Sequence, residues 1–241
     1  MQNKNIGIFI NDNLLSTMLI KKIIKDNRLN IKFIIIENTK KKKNYLFFFL
    51  FLKDLLKILL LKIELILKNE NIDTLCKKND IDFFKIKNVN NINLKKFLKK
   101  NFIKNIFLIN INKKLNINEN YNNINFINIH LGDVKKYKGV FCLIHSIINK
   151  EKYFHISSHH ISSDYDLGDI IFQKKIKIYR GSLFNLYQYL FYKKIDIIHK
   201  TLELVEKSKF LKNYNNSKMY KPPTFTELLK FFRAYKKYEL K

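Results

Sequence analysis

Apolar residues fall in short unbroken runs near the start of the chain, and helical spacing takes over between them. NIGIFI (5–10) and IKFIIIEN (31–38) are continuous and rich in β-branched residues, as strands buried on both faces are. Asp12 or Asn13 stands where an N-cap is needed for a helix running to about Lys25. The stretch YLFFFLFLKDLLKILLLKIELIL (45–67) predicts a long, largely buried helix with a charged stripe of Lys53, Asp54, Lys57, Lys62 and Glu64. Those charges argue against a membrane-spanning helix; a helix lying on a membrane surface is the alternative. A short helix follows near 72–79. FFKIK (83–87), NIFLININ (105–112) and INFINIH (124–130) read as strands, with a helical pattern in LKKFLKKN (94–101). Strand and helix in alternation, with buried strands, predict an α/β fold: a mainly parallel twisted sheet flanked by helices.

The second half changes period. VFCLIHSIIN (140–149) reads as a buried helix. YFHISSHHI (153–161) and DIIFQKKIKI (169–178) alternate and predict an antiparallel pair, joined across a turn that carries Asp164, Asp166 and Gly168. A helix capped by Ser182 extends to about Lys207. After the polar patch KNYNNSK (212–218), Pro222 and Pro223 precede Thr224 and Glu227, which are spaced as a capping box for a last helix. The expected organisation is one domain over 1–207 and a short extension over 208–241. The apolar-faced LLKFFRAY in that extension suits self-association into a homodimer.

Composition adds little about partners. The formal net charge is +27, but only Arg28, Arg180 and Arg233 among 47 basic residues are arginine. Lys, Asn, Ile and Phe share A/T-rich codons, so the charge reads as compositional. Dedicated phosphate and base readers favour the arginine fork, and no specific nucleic-acid partner is expected. Non-specific adhesion to polyanions at low salt follows in any case. The two cysteines, Cys76 and Cys142, form no CxxC and fit a reducing, cytoplasmic setting. No secretory signal pattern and no transmembrane segment is apparent. Glycine-rich nucleotide-cradle motifs, zinc-spaced ligand clusters and nucleophile elbows are missing, and no metal is expected.

What remains is a set of polar residues placed at strand ends. In open α/β sheets, ligands bind beyond the carboxyl ends of the strands. Asn128 and His130 share one face of such a strand end. The loop SSDYDLGDII (162–171) brings Asp164, Asp166 and Asp169 beside a turn glycine. An amide and an imidazole can polarise a carbonyl, and a carboxylate can orient the imidazole and take a proton from an attacking amine. Together they suit acyl transfer to an amine without a protein nucleophile. His159 and His160 are adjacent on a strand, so they face opposite ways and cannot both line the site.

The order and spacing of these residues resemble the folate-dependent formyltransferase family. That family has a strand ending N-x-H, a loop closing Y-R-G, a strand T-x-H, and a loop D-T-G-D/P-I-x-x-Q. Here NIH occupies 128–130, and KKYKG ends at Gly139 with Lys138 in place of Arg. HISSHHISSDYDLGDIIFQ sets His159 at the T-x-H histidine, with Ser157 for Thr, Asp166 at the catalytic aspartate, and Gln173 at the close. The resemblance is clearest over 104–178 and extends over 1–205. It implies 10-formyltetrahydrofolate as formyl donor, with Asn128, His130 and Asp166 catalytic. It further implies the folate held by Lys113, Lys114 and Leu115 on one side and by Ser162, Ser163 and Asp164 on the other. His159, Lys135, Lys136, Tyr137, Lys138 and Gly139 would lie toward the acceptor.

The chain departs from the family where the acceptor is read: L-G-D-V-K (131–135) replaces S-L-L-P, NDN (11–13) replaces a glycine-bearing turn, and His155 stands for a glycine. With only about 35 residues after 205, the barrel-like second domain of methionyl-tRNA formyltransferases is not expected. The branch resembled most formylates nucleotide-linked amino sugars for surface polysaccharide. Methionyl-tRNA and glycinamide ribonucleotide are the alternative acceptors. A basic RNA- or membrane-surface-binding protein without catalysis is the alternative of another class. Tyr137 could stack on a base or serve as loop packing.

Overall fold

The computed structural model describes residues 4–38, 54–67, 72–88, 90, 94, 98, 102–111, 114–115, 121, 123–162, 165–207, 210–212, 217–238 and 240. Within these, side chains 64–67 are not described. The expected helical stretches 45–53 and most of 94–101, and the polar patch at 213–216, lie outside them, as do Lys113, Ser163 and Asp164.

The chain divides into two compact units, residues 1–126 with 182–192 and residues 127–181 with 193–241. The first unit holds β1 (Asn5–Asn11), α1 (Leu14–Ile24), β2 (Asn30–Glu37), α2 (Leu55–Leu67), α3 (Ile72–Lys78), β3 (Asp82–Ile86) and β4 (Asn105–Ile109). Its strands run β3-β2-β1-β4, all parallel. The apolar runs of β1, β2 and β4 are almost wholly buried, because helices on a parallel sheet leave neither face to water. Asn13 caps α1, its side chain accepting from Ser16 N–H.

β5 (Asn125–His130) begins in the first unit, where the Asn125 N–H donates to the Lys104 carbonyl at 2.8 Å, and continues into the second. The second unit adds β6 (Lys138–Gly139), α4 (Cys142–Ile148), β7 (Tyr153–His160), β8 (Ile170–Lys177), β9 (Met219–Tyr220) and α6 (Phe225–Tyr235). β7 is antiparallel to both β5 and β8, so the hydrogen-bonded order is β3-β2-β1-β4-β5-β7-β8, a mixed, mostly parallel sheet. The helix α5 (Leu183–Leu204) starts in the first unit and ends in the second. Its start is capped twice: the Ser182 hydroxyl accepts from Asn185 N–H, and Asp54 accepts from both Ser182 Oγ and Phe184 N–H.

One expectation is corrected. Among the described side chains of α2 only Ile58 is buried, while Leu55, Leu56, Leu59, Leu60 and Ile63 are exposed. A helix apolar all round has more apolar surface than one packing face covers. The described residues after 207 belong to the second unit. β9 pairs with β6, and α6 buries Leu228, Phe231 and Tyr235 in the second unit, with its capping box formed. The apolar face of LLKFFRAY is thus used within the chain, and of the large apolar residues of α6 Phe225, Leu229 and Phe232 remain exposed.

Phe231→Ala should therefore cost ~3–5 kcal/mol in denaturant unfolding, as large-to-small changes in cores do. Phe225→Ala, on the exposed side, should stay within about 0.5 kcal/mol. Equal losses would contradict the assignment of the two faces.

Candidate active site

β5 carries Asn128 and His130 two residues apart on one face, and β7 places His159 opposite Asn128 in the antiparallel register. The turn after β7 brings Asp166 back to them. Asp166 Oδ1 lies 3.2 Å from Asn128 Nδ2, 3.4 Å from His130 Nδ1 and 3.4 Å from His159 Nε2. Its second oxygen accepts the Gly139 backbone N–H at 2.9 Å. Asp166 itself has φ 54°, a left-handed conformation that aspartate tolerates better than most residues. All these groups belong to the second unit.

The proton arrangement follows from the neighbours. His159 Nδ1 faces the His160 carbonyl at 2.8 Å and must donate. In the neutral ring, Nε2 then accepts from Asn128 Nδ2 at 3.2 Å, and the second amide hydrogen goes to Asp166. His130 Nε2 donates to the Tyr137 carbonyl at 2.9 Å, leaving Nδ1 toward the carboxylate. Burial pushes the Asp166 carboxyl up, but His130, His159 and the Gly139 N–H outweigh it and hold it below the usual carboxylate range. Burial lowers the proton affinity of His130, opposed by Asp166 and reinforced by the nearby His159 and Lys194. The result is an ionised carboxylate against a ring poised to take a proton at Nδ1.

The loop 131–137 covers the other edge of His130. A Cβ on Gly132 would sit 2.4 Å from His130 Nε2, so only glycine lets the backbone lie on the ring. Ser157 Oγ donates to the Gly132 carbonyl at 2.6 Å, and Gln173 Nε2 donates to both Ser157 Oγ and Asp133 Oδ1. These two residues fasten the altered L-G-D-V-K loop to β7 and β8. Gly139 has φ 88°, and a Cβ there would meet the Tyr220 carbonyl at 2.4 Å. β9 thereby fixes the N–H that holds Asp166.

The sequence-derived residues separate into those gathered here and those placed elsewhere. Asn128, His130, His159, Gly139 and Asp166 come together. Tyr137 is 5% exposed, with its ring against Tyr220 and its hydroxyl toward Glu151, so it is loop packing. Lys138 is buried, while Lys135 and Lys136 are exposed, Lys136 near Glu151. Lys114 and Leu115 belong to the first unit; Lys114 is exposed and its carbonyl accepts from Asn90 Nδ2. Ser162 is an exposed residue of the second unit. Among the described residues no group of His, Cys, Asp and Glu gathers as metal ligands, and no helix is long and apolar enough to cross a membrane. Sequence reading missed the Tyr137 carbonyl, the clamp through Ser157, and Cys142, whose thiol lies 3.5 Å from His130 Nε2. Backbone groups and a loop contact leave no signature in residue type.

No known family profile matches the sequence, and no curated protein sequence matches it. Solved structures do match over nearly the whole chain. A sugar N-formyltransferase from Shewanella aligns with a TM-score of 0.56 at 17% identity, covering 95% of this chain and 87% of that one. The chain has the formyltransferase fold. An N-formyltransferase from Helicobacter canadensis, solved in complex with folinic acid and dTDP-3-aminofucose, aligns at TM-score 0.55 and 16% identity over 95% and 80% of the two chains. A methionyl-tRNA formyltransferase from Clostridium thermocellum aligns at 0.56 and 14% over 95% and 82%. The formyltransferase fold of this chain is thus built at identities where little beyond backbone architecture persists.

Two outcomes check this geometry. Gly132→Ala should disturb the His130 ring resonances and lower the melting temperature; an unchanged His130 would contradict the close approach. The depressed Asp166 contributes stability that is complete above its unfolded value of about 4 and is lost as pH falls through its lower folded value. Asp166→Asn should therefore differ most from the parent above about pH 5, with the gap closing on acidification.

Proposed function

We propose that this chain is a folate-dependent N-formyltransferase that moves the formyl group of 10-formyltetrahydrofolate to the amine of a nucleotide-linked amino sugar. The observation that carries the reading is the Asp166 carboxylate, set among Asn128, His130 and His159 in the formyltransferase fold. The amine lone pair attacks the formyl carbon, a C–N bond forms, and the carbonyl pair moves onto oxygen. Asn128, more exposed than His130 and His159, is the donor that this oxygen reaches, turning to it one of the two amide hydrogens that His159 and Asp166 hold in the free protein, with the His130 ring beside it. Asp166 relays to His130 Nδ1 the proton that the attacking nitrogen must lose. The bond from the formyl carbon to N10 then breaks, and N10 leaves carrying a proton. No protein nucleophile enters the balance.

The nucleotide-sugar acceptor is supported by the sugar N-formyltransferases among the structural neighbours, and by the exposed Lys135 and Lys136 on the loop beside the site, which suit a diphosphate. Lys114, Leu115 and Ser162, with Lys113, Ser163 and Asp164, are proposed to hold the folate. The reading places the enzyme in the cytoplasm, serving surface-polysaccharide synthesis. It also proposes a homodimer formed through the exposed Phe225, Leu229 and Phe232 of α6.

The test is turnover with 10-formyltetrahydrofolate and a panel of dTDP- and UDP-linked 3-amino and 4-amino sugars, with charged initiator tRNA and glycinamide ribonucleotide as rival acceptors. One sugar should release tetrahydrofolate. His130→Ala and Asp166→Asn should each lose ~10²–10⁴-fold in kcat with the fold retained. Release with tRNA alone would transfer the assignment, and near-parental turnover in either variant would contradict the catalytic roles.

A further inference from the structure

On α5, positions 194, 197, 198 and 201 are fully buried, the spacing of a helix stripe that faces a core. Ile197 and Ile198 fit such a stripe. Thr201 fits by donating to Ser158 Oγ at 2.7 Å. Lys194 does not fit on packing grounds: a lysine with no exposed surface carries a desolvation cost that leucine or methionine would avoid. Its Nζ reaches one backbone group of β5, the Ile129 carbonyl, at 3.3 Å. Ile129 stands between Asn128 and His130.

We propose that Lys194 is a positioning residue for the Asn128–His130 pair, gripping the carbonyl between them and placing a titratable positive charge behind the imidazole. The inference rests on the formyl-transfer reading for its consequence but not for its test. Burial lowers Lys194 to about 7, so its charge comes and goes near neutrality. The groups facing His130 are Asp166 from the turn after β7, His159 from β7, the Tyr137 carbonyl and the Cys142 thiol from the covering loop and α4, and Lys194 from α5. Asp166 favours the imidazolium, whereas Lys194 and His159 oppose it. Lys194 thereby offsets part of the pull of Asp166 and keeps Nδ1 able to accept a proton.

A lysine kept only for packing and a lysine kept for charge predict opposite results. Lys194→Met removes the charge and preserves the length of the chain. Melting temperature should be equal or higher, since an apolar replacement of a buried charge is often stabilising. The sign follows from the lowered folded value: the parent is penalised most below about pH 7 and the penalty fades as pH rises toward about 10, so the advantage of the variant should shrink over that range. By NMR, the His130 titration midpoint should move upward in Lys194→Met, and the acidic limb of any kcat–pH profile should move with it. Lys194→Gln, which keeps a donor but no charge, serves as second variant and should show the same direction. An unmoved or lowered His130 midpoint in a folded variant would overturn the proposal. The midpoint is read without substrate, so a parent protein that transfers no formyl group would overturn the proposed function while this arm still decides Lys194.

Discussion

A carboxylate largely hidden from water persists as an ion only where polar groups compensate its charge, and Asp166 is surrounded by them. Its side chain is 9% exposed and meets an amide, two imidazoles and a backbone N–H. An unpaired charge in such a place would be far too costly to keep. Each of these groups has its own structural requirement. Asn128 and His130 need the pleat of β5, His159 needs the antiparallel register of β7, and the Gly139 N–H needs a left-handed backbone braced by β9. The second unit can be understood as the framework that satisfies one carboxylate.

The same logic explains why residues far apart in sequence are tied together. The C-terminal strand and helix are not ornaments on a finished domain: β9 holds the glycine that holds Asp166, and α6 packs in that same unit. The covering loop differs from the family pattern, yet Ser157 anchors it through the Gly132 carbonyl and Gln173 through the Asp133 carboxylate.

Much of this was legible in the sequence, for physical reasons. Continuous apolar runs identify parallel strands because both faces are buried, and the two-residue spacing of Asn128 and His130 survives any detail of packing. The caps at Asp12 or Asn13, at Ser182 and at Thr224 were readable because capping depends on local geometry, and Asn13 is the first of these caps. Other features were not readable. In α2 the pattern is apolar on every side, so nothing in it says which face packs. Lys194 was invisible because a lysine-rich composition hides one lysine that breaks a core stripe; only its burial distinguishes it. Tyr137 offered two readings from sequence, and the partner that decides between them, Tyr220, lies 83 residues on.

The central claim is that Asp166 and His130 act as one electrostatic unit. The most direct measurement is the ring-nitrogen titration of His130 by NMR in the parent chain and in Asp166→Asn. The account predicts a midpoint below that of an ordinary histidine in the parent, and a further fall when the carboxylate charge is removed, because burial and Lys194 are then less opposed. A midpoint that does not respond to Asp166→Asn in a folded protein would contradict it.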